Sequence, residues 1–252
     1  KVPSKMLQKI RKGLRNKKTI IYNFNANEKN KNQKTINNIT KIISVLTLTL
    51  LISVSGSKEA SAQLEVSTGV DLVSTYVWRG VAYSGPSWQP YVEAAAGDLT
   101  VGAWGSQGYD GFQEMDLYAS FSLGDLSIGL TDYYYPGSDY LDGDSHAFEV
   151  NLGYSLGSLS IGANYIINEA ASAGSAGGDM YFELGYSGSA ADVFVGAGDG
   201  WHSGTGDFGL VNIGITKSKE LKITDSFSLP ISGAVIFNPD SEQLYILAGI
   251  SL

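Results

Sequence analysis

An eight-residue segment occurs twice in this sequence and a third time in a looser form. The close copies are residues 122–129 (SLGDLSIG) and 155–162 (SLGSLSIG), and the looser copy is residues 95–102 (AAGDLTVG). Each copy joins two runs of alternating apolar residues through a Gly-Asp or Gly-Ser step, which is typical of a β-hairpin with a very tight turn. Repeated hairpins of this kind predict an antiparallel sheet.

The two-residue alternation of apolar and other side chains continues from residue 63 to the end, and no helical periodicity interrupts it. It predicts 12 strands, the first running from about Leu64 to Val81 and the last ending at Leu252. The stretch 216–225 is ambiguous, because residues 217–223 fit either a short strand or part of a turn. An even number of strands places both chain ends on the same side, as bacterial membrane barrels require.

The connections between the predicted strands alternate in length. Four are tight turns, at Gly97-Asp98, Gly124-Asp125, Gly157-Ser158 and Gly188-Ser189, and between them lie longer segments, at residues 107–113, 136–145, 169–178 and 198–207. Short periplasmic turns and longer external loops produce this alternation in a membrane β-barrel. A soluble sandwich has no reason to sort its loops in this way.

The two faces of the predicted strands have different compositions. One face is apolar, and the other is rich in Gly, Ser, Thr and Tyr but has almost no Lys to cover a solvated surface. We therefore predict an all-β fold, a single up-and-down antiparallel transmembrane β-barrel of about 12 strands, with apolar side chains toward lipid and polar ones toward the lumen. Aromatic residues near strand ends are predicted to form interfacial girdles: Tyr76, Trp78, Trp88, Tyr154, Tyr165, Tyr186 and Phe237.

The chain divides sharply near residue 62. Residues 1–62 contain 13 of the 17 basic residues and 2 of the 25 acidic ones, so residues 63–252 hold 4 and 23, a formal charge of −19. A short apolar stretch at residues 42–54, preceded by basic residues and followed by Ala60-Ser61-Ala62, is typical of a secretory signal peptide. We expect residues 1–62 to be a signal peptide and basic leader that is removed, and residues 63–252 to form an outer-membrane barrel.

Composition excludes several classes of function. The chain has no cysteine, which rules out a disulfide framework, a lipoprotein anchor and thiolate metal sites. Only Arg79, Lys217, Lys219 and Lys222 are basic after residue 62, so nucleic-acid binding is not expected. The expected partners are the lipid bilayer of the bacterial outer membrane and small solutes. Homo-oligomerisation and an outer-membrane protein partner are left open.

Three short motifs resemble a known family. Residues 74–80 (STYVWRG) resemble the S-x-Y-x-x-R-G opening of a Gram-negative outer-membrane porin family, the TorF-like conserved hypothetical proteins. Residues 102–106 (GAWGS) resemble that family's G-x-W-x-S strand, and residues 114–118 (EMDLY) its E-x-D-x-Y strand. The resemblance is strongest over residues 66–155, and it implies an outer-membrane β-barrel whose cargo is poorly defined.

Seven ionisable residues fall on the inward side of the predicted strands and form the candidate site. They are the lumenal residues Asp71, Arg79, Glu93, Glu114, Asp116, Glu149 and Glu183. One interpretation is an acidic pore lining that favours cations. The other is a structural network in which Arg79 bridges Glu114, Asp116 or Glu149 and plugs a narrow barrel that bulky aromatic side chains already fill in part.

Catalysis is not expected, because neither of the two histidines, His146 and His202, lies beside a plausible nucleophile in sequence. The acidic loop at residues 137–145 does not have the spacing of an EF-hand, and no metal or cofactor is predicted. The leading functional hypothesis is a porin-like channel for passive diffusion of small cationic or neutral solutes. The alternatives are a plugged structural barrel that presents its loops to a partner, and a secreted β protein that self-assembles.

Overall fold

A computed structural model describes residues 63–252, and the predicted signal peptide and leader at residues 1–62 lie outside this part of the chain. The described residues form fourteen strands and three single-turn 3₁₀ helices, at Gly143–Ser145, Ala171–Ala173 and Gly200–His202. The strands are β1 (Leu64–Val73), β2 (Tyr76–Trp78), β3 (Val81–Ser84), β4 (Ser87–Ala96), β5 (Leu99–Gly108), β6 (Gln113–Leu123), β7 (Leu126–Tyr134), β8 (His146–Leu156), β9 (Leu159–Ile166), β10 (Met180–Ser187), β11 (Asp192–Gly198), β12 (Gly209–Lys222), β13 (Ser228–Asn238) and β14 (Gln243–Ser251).

Twelve of these strands form one closed barrel, and this confirms the predicted fold class. From β4 to β14 each strand pairs antiparallel with its neighbour in sequence, and β1 closes the circle by pairing with both β4 and β14. The remaining two strands, β2 and β3, pair only with each other and stand apart from the wall. The predicted first strand, Leu64 to Val81, is therefore too long, since β1 ends at Val73.

The tight turns lie at one end of the barrel. Gly97, Gly124 and Gly157 each adopt a φ near +60°, and each is followed by a residue with negative φ. This is the arrangement of a type II′ turn, whose first central position favours glycine. The fourth predicted turn is wrong in length, because Ser187 pairs with Asp192 and four residues connect β10 to β11.

The longer connections lie at the other end, as the sequence predicted. Residues 135–145 and 167–179 are the longest loops, and the β2–β3 hairpin forms most of the connection between β1 and β4. The ambiguous stretch at 216–225 is neither a separate strand nor wholly a turn. It is the end of the 14-residue strand β12, which continues to Lys222.

The apolar side chains of the described residues lie mostly on the outside. Thirty-six large apolar or aromatic side chains are exposed, against eleven buried apolar ones, so most of the apolar surface of these residues faces away from the small buried cluster around Tyr133 and Ile166. Leu72, Val92, Ile128, Leu184 and Ile215 show the outward register on five different strands. None of the helices in the described part of the chain is long and apolar enough to cross a membrane.

The inner face combines glycines with large rings on neighbouring strands. Tyr91 lies directly opposite Gly69, and a Cβ atom at Gly69 would come within 2.7 Å of the tyrosine hydroxyl. Tyr118 lies opposite Gly102 in the same way. Because glycine leaves the strand surface flat, a ring can lie along the wall of the lumen instead of pointing across it.

Candidate functional site

The β2–β3 hairpin folds back into the lumen from the long-loop end. Its two-residue turn consists of Arg79, with φ +50°, and Gly80, with φ +83°, and both values lie in the left-handed region. A Cβ atom at position 80 would overlap the backbone oxygen of Val211 on the far wall, and Asn238 donates a hydrogen bond of 3.0 Å to the Gly80 oxygen. Glycine is therefore required both by the turn and by the close approach of the two backbones.

Arg79 carries the hairpin's main electrostatic contact. Its Nη1 lies 2.6 Å from Glu149 Oε1 and its Nη2 lies 2.9 Å from Oε2, which is a bidentate ion pair. Glu149 on β8 is fully buried and also accepts hydrogen bonds from Tyr133 at 2.9 Å and Asn151 at 2.6 Å. The predicted cross-lumen bridge from Arg79 therefore exists, and of the three candidate partners it selects Glu149.

The guanidinium group of Arg79 lies between two aromatic rings. Its central carbon is 4.3 Å from the ring centre of Trp78 and 4.5 Å from that of Tyr181, distances at which cation–π attraction is favourable. Only 13% of the Arg79 side chain is exposed. The hairpin tip is therefore held by an ion pair, two rings and a backbone contact at once.

His202, in the Gly200–His202 helix, completes this contact. Its Nε2 lies 3.4 Å from Arg79 Nη1, and because arginine only donates, Nε2 accepts and the ring proton is on Nδ1. Nδ1 has no hydrogen-bond partner among the described residues. Burial, with the neighbouring Arg79 charge, lowers the pKa of His202 to about 3, so the ring is neutral at physiological pH.

Aromatic side chains fill the long-loop half of the lumen around the hairpin. Tyr76 packs 5.5 Å from Trp104, and Trp78 packs 5.4 Å from Tyr133 and 6.2 Å from Trp201, measured between ring centres. Tyr76 and Trp78 are thus part of an internal plug, and the prediction that they belong to an interfacial girdle is wrong. Their alternation with Val77 continues the pattern of β1, which is why the sequence placed them on the barrel wall.

Glu114 and Asp116 follow one another on the inward face of β6, beside the hairpin. Both side chains are buried, with exposures of 5% and 7%, and each keeps one oxygen without a hydrogen-bond partner in the described part of the chain. Arg79 does not reach them. Two buried carboxyl groups without a basic partner are costly when ionised.

The other three predicted residues, Asp71, Glu93 and Glu183, also face the lumen but are separate from the Arg79–Glu149 ion pair. Glu93 on β4 accepts a hydrogen bond of 3.0 Å from Tyr118, and Asp71 on β1 lies opposite Gln89. Glu183 on β10 accepts hydrogen bonds from Tyr181 at 2.5 Å and from Asn212 at 3.4 Å. None of these carboxylates has a salt bridge with a basic residue of the described chain.

A cavity of about 360 Å³ lies beneath the hairpin. Val77, Trp78 and Arg79 line it on the hairpin side, and wall residues including Asn164, Glu183 and Asn212 line it on the other. Since Glu149 neutralises Arg79, the uncompensated charge along this cavity is the negative charge of Glu183. The geometry therefore leaves a net acidic space, with a mixed polar and apolar lining, in the part of the lumen that the plug does not fill.

A second polar contact, on the outer face, was missed by the sequence analysis. His146 Nδ1 lies 2.9 Å from Asp132 Oδ1, and Nε2 lies 2.6 Å from the Tyr140 backbone oxygen. Both partners are acceptors, so the imidazole donates from both nitrogens and is positively charged in this arrangement. The only sequence signal was Asp132 itself, a carboxylate in the outward register between Leu130 and Tyr134.

The two histidines and the acidic loop show no catalytic or metal-binding arrangement within residues 63–252. Neither imidazole is hydrogen-bonded to a hydroxyl there, and no group of three or more acidic or histidine side chains is placed to hold a metal ion. Asp142 instead accepts a hydrogen bond from the Asp144 backbone N–H at 3.2 Å. The non-enzymatic interpretation stays a prediction.

The fold and the lumenal plug define a closed β-barrel whose interior is partly occupied by its own chain. The family model described as a bacterial protein of unknown function (Gcw_chp) matches residues 57–224, which is more than half of the sequence. This chain belongs to that family. The resemblance to TorF-like proteins is a separate matter and stays a prediction. No curated protein matches the sequence.

Solved structures with a similar arrangement include outer-membrane barrels. OccK8 (OprE) of Pseudomonas aeruginosa is 13% identical, with a TM-score of 0.34, over 75% of this chain and 66% of its own. Outer membrane phospholipase A of Escherichia coli is 11% identical, with a TM-score of 0.36, over 73% of this chain and 87% of its own. The chain thus spans slightly less than two thirds of OccK8, and its function has to be argued from its own residues.

Proposed function

We propose that this protein is an outer-membrane channel for small neutral or cationic solutes, narrowed by its internal β2–β3 hairpin. The observation that carries the proposal is the reversed distribution of side chains around a closed barrel. Apolar residues cover the outside, where lipid would solvate them, and charged and amide side chains share the lining of a cavity inside with apolar ones. The inferred route passes beneath the hairpin and along Glu183.

The charge of the lumen supports a preference against anions. Arg79 is the one basic residue of the inward-facing candidate set, and its charge is neutralised by Glu149. Glu93 and Glu183 remain without a basic partner in the described residues. A ring of carboxylates in a low-dielectric pore attracts cations and repels anions. Neutral solutes would be limited by the width that the hairpin leaves.

The experiment is a flux assay on the purified protein in liposomes, with small organic cations, anions and neutral sugars of matched size. We expect cations and neutral solutes to enter faster than anions. Glu183→Gln should reduce the advantage of cations, whereas the control Glu242→Gln, in the β13–β14 loop outside the lumen, should leave it unchanged. Equal exclusion of all solutes would contradict the proposal.

A plugged structural barrel is the second candidate, and the largely buried Arg79–Glu149 pair favours it. Because this ion pair has so many additional partners, the hairpin is expected to stay docked unless another molecule displaces it. In this alternative the hairpin stiffens the barrel and the long loops are the functional surface. An Arg79→Ala variant separates the two, because a channel would conduct more when the hairpin is loosened and a purely structural barrel would only lose stability.

The self-assembling alternative is not favoured. Pairing of β1 with β14 closes the sheet, and closure removes most of the free strand edge through which β proteins associate.

A further inference from the structure

The longest hairpin of the barrel projects beyond the tight-turn end. Asp192, the first residue of β11, pairs with Thr216, and β12 continues for six residues past that point to Lys222. On its other side, β13 last pairs with β14 at Ile231–Ile250. Residues 217–230, here called the projecting ribbon, therefore extend about 20 Å along the strand direction, at 3.3 Å a residue.

The projecting ribbon holds most of the positive charge of the described chain. Lys217, Lys219 and Lys222 are three of the four basic residues after residue 62, in a stretch that otherwise carries a large excess of acidic residues. All three are exposed. The ribbon also carries Glu220 and Asp225, so its net charge is 3 − 2 = +1. A local excess of positive charge on one face indicates a partner of the opposite sign.

The register divides these lysines between two faces. Lys217 and Lys219 follow Ile213 and Ile215 at two-residue spacing, so they continue the outward, apolar face of β12. Lys222 lies on the opposite face and is paired with Asp225 at 2.7 Å. Lys217 and Lys219 are thus directed outward, toward the surroundings of the barrel at its tight-turn end.

Taking Thr216, the last residue of β12 that pairs with β11, as the edge of the apolar band places both lysines at the height of lipid headgroups. Lys217 and Lys219 lie one and three residues beyond Thr216, or roughly 3 and 10 Å along a strand that is inclined to the barrel axis. The headgroup layer beneath the hydrocarbon is roughly 5–8 Å thick. A lysine just outside an apolar band can keep its stem against acyl chains and its ammonium group among phosphates.

The tight turns on the opposite side of the barrel make this attraction local. Asp98 and Asp125, in two of the tight turns, are exposed carboxylates at the same end of the barrel, and they repel anionic groups. An anionic lipid is therefore attracted to the outer face of β12 and not to the whole rim.

We propose that Lys217 and Lys219 form a binding surface for anionic phospholipids in the leaflet at the tight-turn end. The inference rests on the proposed membrane location of the barrel, but not on whether the lumen conducts. It assigns a lipid class by headgroup charge. The ammonium group of Lys217 already donates to the Ser189 backbone oxygen at 2.8 Å, which fixes its position and leaves two N–H groups for a phosphate.

The test compares thermal unfolding of the full chain in nanodiscs of phosphatidylcholine alone and of phosphatidylcholine with phosphatidylglycerol. Heat-modifiable gel migration gives the midpoint. We expect phosphatidylglycerol to raise the midpoint of the native protein by about 3 °C and high salt to remove the increase. The double variant Lys217→Gln, Lys219→Gln should lose the increase, and the matched variant Lys222→Gln should keep it.

Each result has a defined meaning. No effect of phosphatidylglycerol, or an equal loss in Lys222→Gln, would overturn the proposal. Stabilisation of the native protein in detergent by inorganic phosphate alone would show a simple anion site and would also overturn it. Failure to insert into either bilayer would instead contradict the proposed function, so the two failures are distinguishable.

Discussion

Breaking the Arg79–Glu149 pair should release the hairpin without unfolding the barrel. In Arg79→Ala, Glu149 loses two charge-assisted hydrogen bonds at 2.6 and 2.9 Å and keeps only Tyr133 and Asn151 as donors. Removing one partner of a buried ion pair costs about 3–5 kcal/mol. At about 1.4 kcal/mol for each factor of ten, the undocked population should rise by roughly 10²- to 4 × 10³-fold.

This free-energy cost should destabilise docking of the hairpin and not the barrel wall, because the wall does not depend on the hairpin. β2 and β3 make no ladder with the twelve wall strands, so their release leaves every wall pairing in place. The assay is hydrogen exchange of the hairpin amides, followed by mass spectrometry, together with ion conductance in a planar bilayer. Exchange in residues 76–84 should become faster while exchange in the wall strands stays slow, and conductance should increase.

A double variant makes the prediction sharper. Replacing both partners by apolar residues of similar size, Arg79→Met with Glu149→Leu, leaves no unpaired charge and should restore much of the slow exchange. Unchanged exchange and conductance in Arg79→Ala would refute the reasoning, since the pair would then contribute nothing to docking. Equal acceleration of exchange in hairpin and wall would refute the claim that the hairpin is a separate unit.

Three further predictions concern Gly80, His202 and the Asp132–His146 contact on the outer face. Gly80→Ala should undock the hairpin as Arg79→Ala does, because a Cβ atom there overlaps the Val211 backbone oxygen. The control Gly111→Ala, at another positive-φ glycine with open space around it, should leave hydrogen exchange in the hairpin unchanged. Lowering the pH from 7 to 5 should destabilise hairpin docking by about 2 kcal/mol. The reason is that His202 binds a proton below pH 6.5 when the hairpin is released, whereas the buried ring does so only near pH 3. A His202→Gln variant should lose this pH dependence, which is measured as conductance against pH. Asp132→Asn should loosen residues 135–145, because His146 loses its carboxylate partner, and limited proteolysis of that loop should become faster without a change in conductance.

The barrel wall could be predicted from the sequence because alternation is a local signal. Leu126 and Ile128 face outward and Ser127 and Gly129 face inward, as the period of two requires, and the glycines at positions 97, 124 and 157 mark turns that need positive φ. Once register and turns are set, the order of strands follows from sequence order.

The internal hairpin could not be predicted in the same way. Alternation continues from Val73 through Tyr76 and Trp78, so the pattern alone does not show that the chain leaves the wall. The Arg79-Gly80 step was the available signal, because a glycine in the middle of an apparent strand suggests a reversal. Which acidic residue binds Arg79 depends on how far the hairpin tip extends across the lumen. The two-residue period of the strands carries no information about that distance.

The outward pair of Asp132 and His146 illustrates a second limit. A loop that folds back over the outer face turns an exposed position into a buried one, and only contacts far apart in sequence reveal it. Asp132 is a local exception on the apolar outer face of β7. At such exceptions tertiary contacts, and not the strand pattern, determine the surroundings of the residue.

We propose that the lumen conducts through the acidic space beneath the hairpin. The most direct test of this proposal is the reversal potential of single channels formed by the purified protein in a planar bilayer with a salt gradient. We expect a small conductance that favours cations over anions, with the preference reduced in Glu183→Gln. Anion preference, or no conductance in both the native protein and Arg79→Ala, would contradict it.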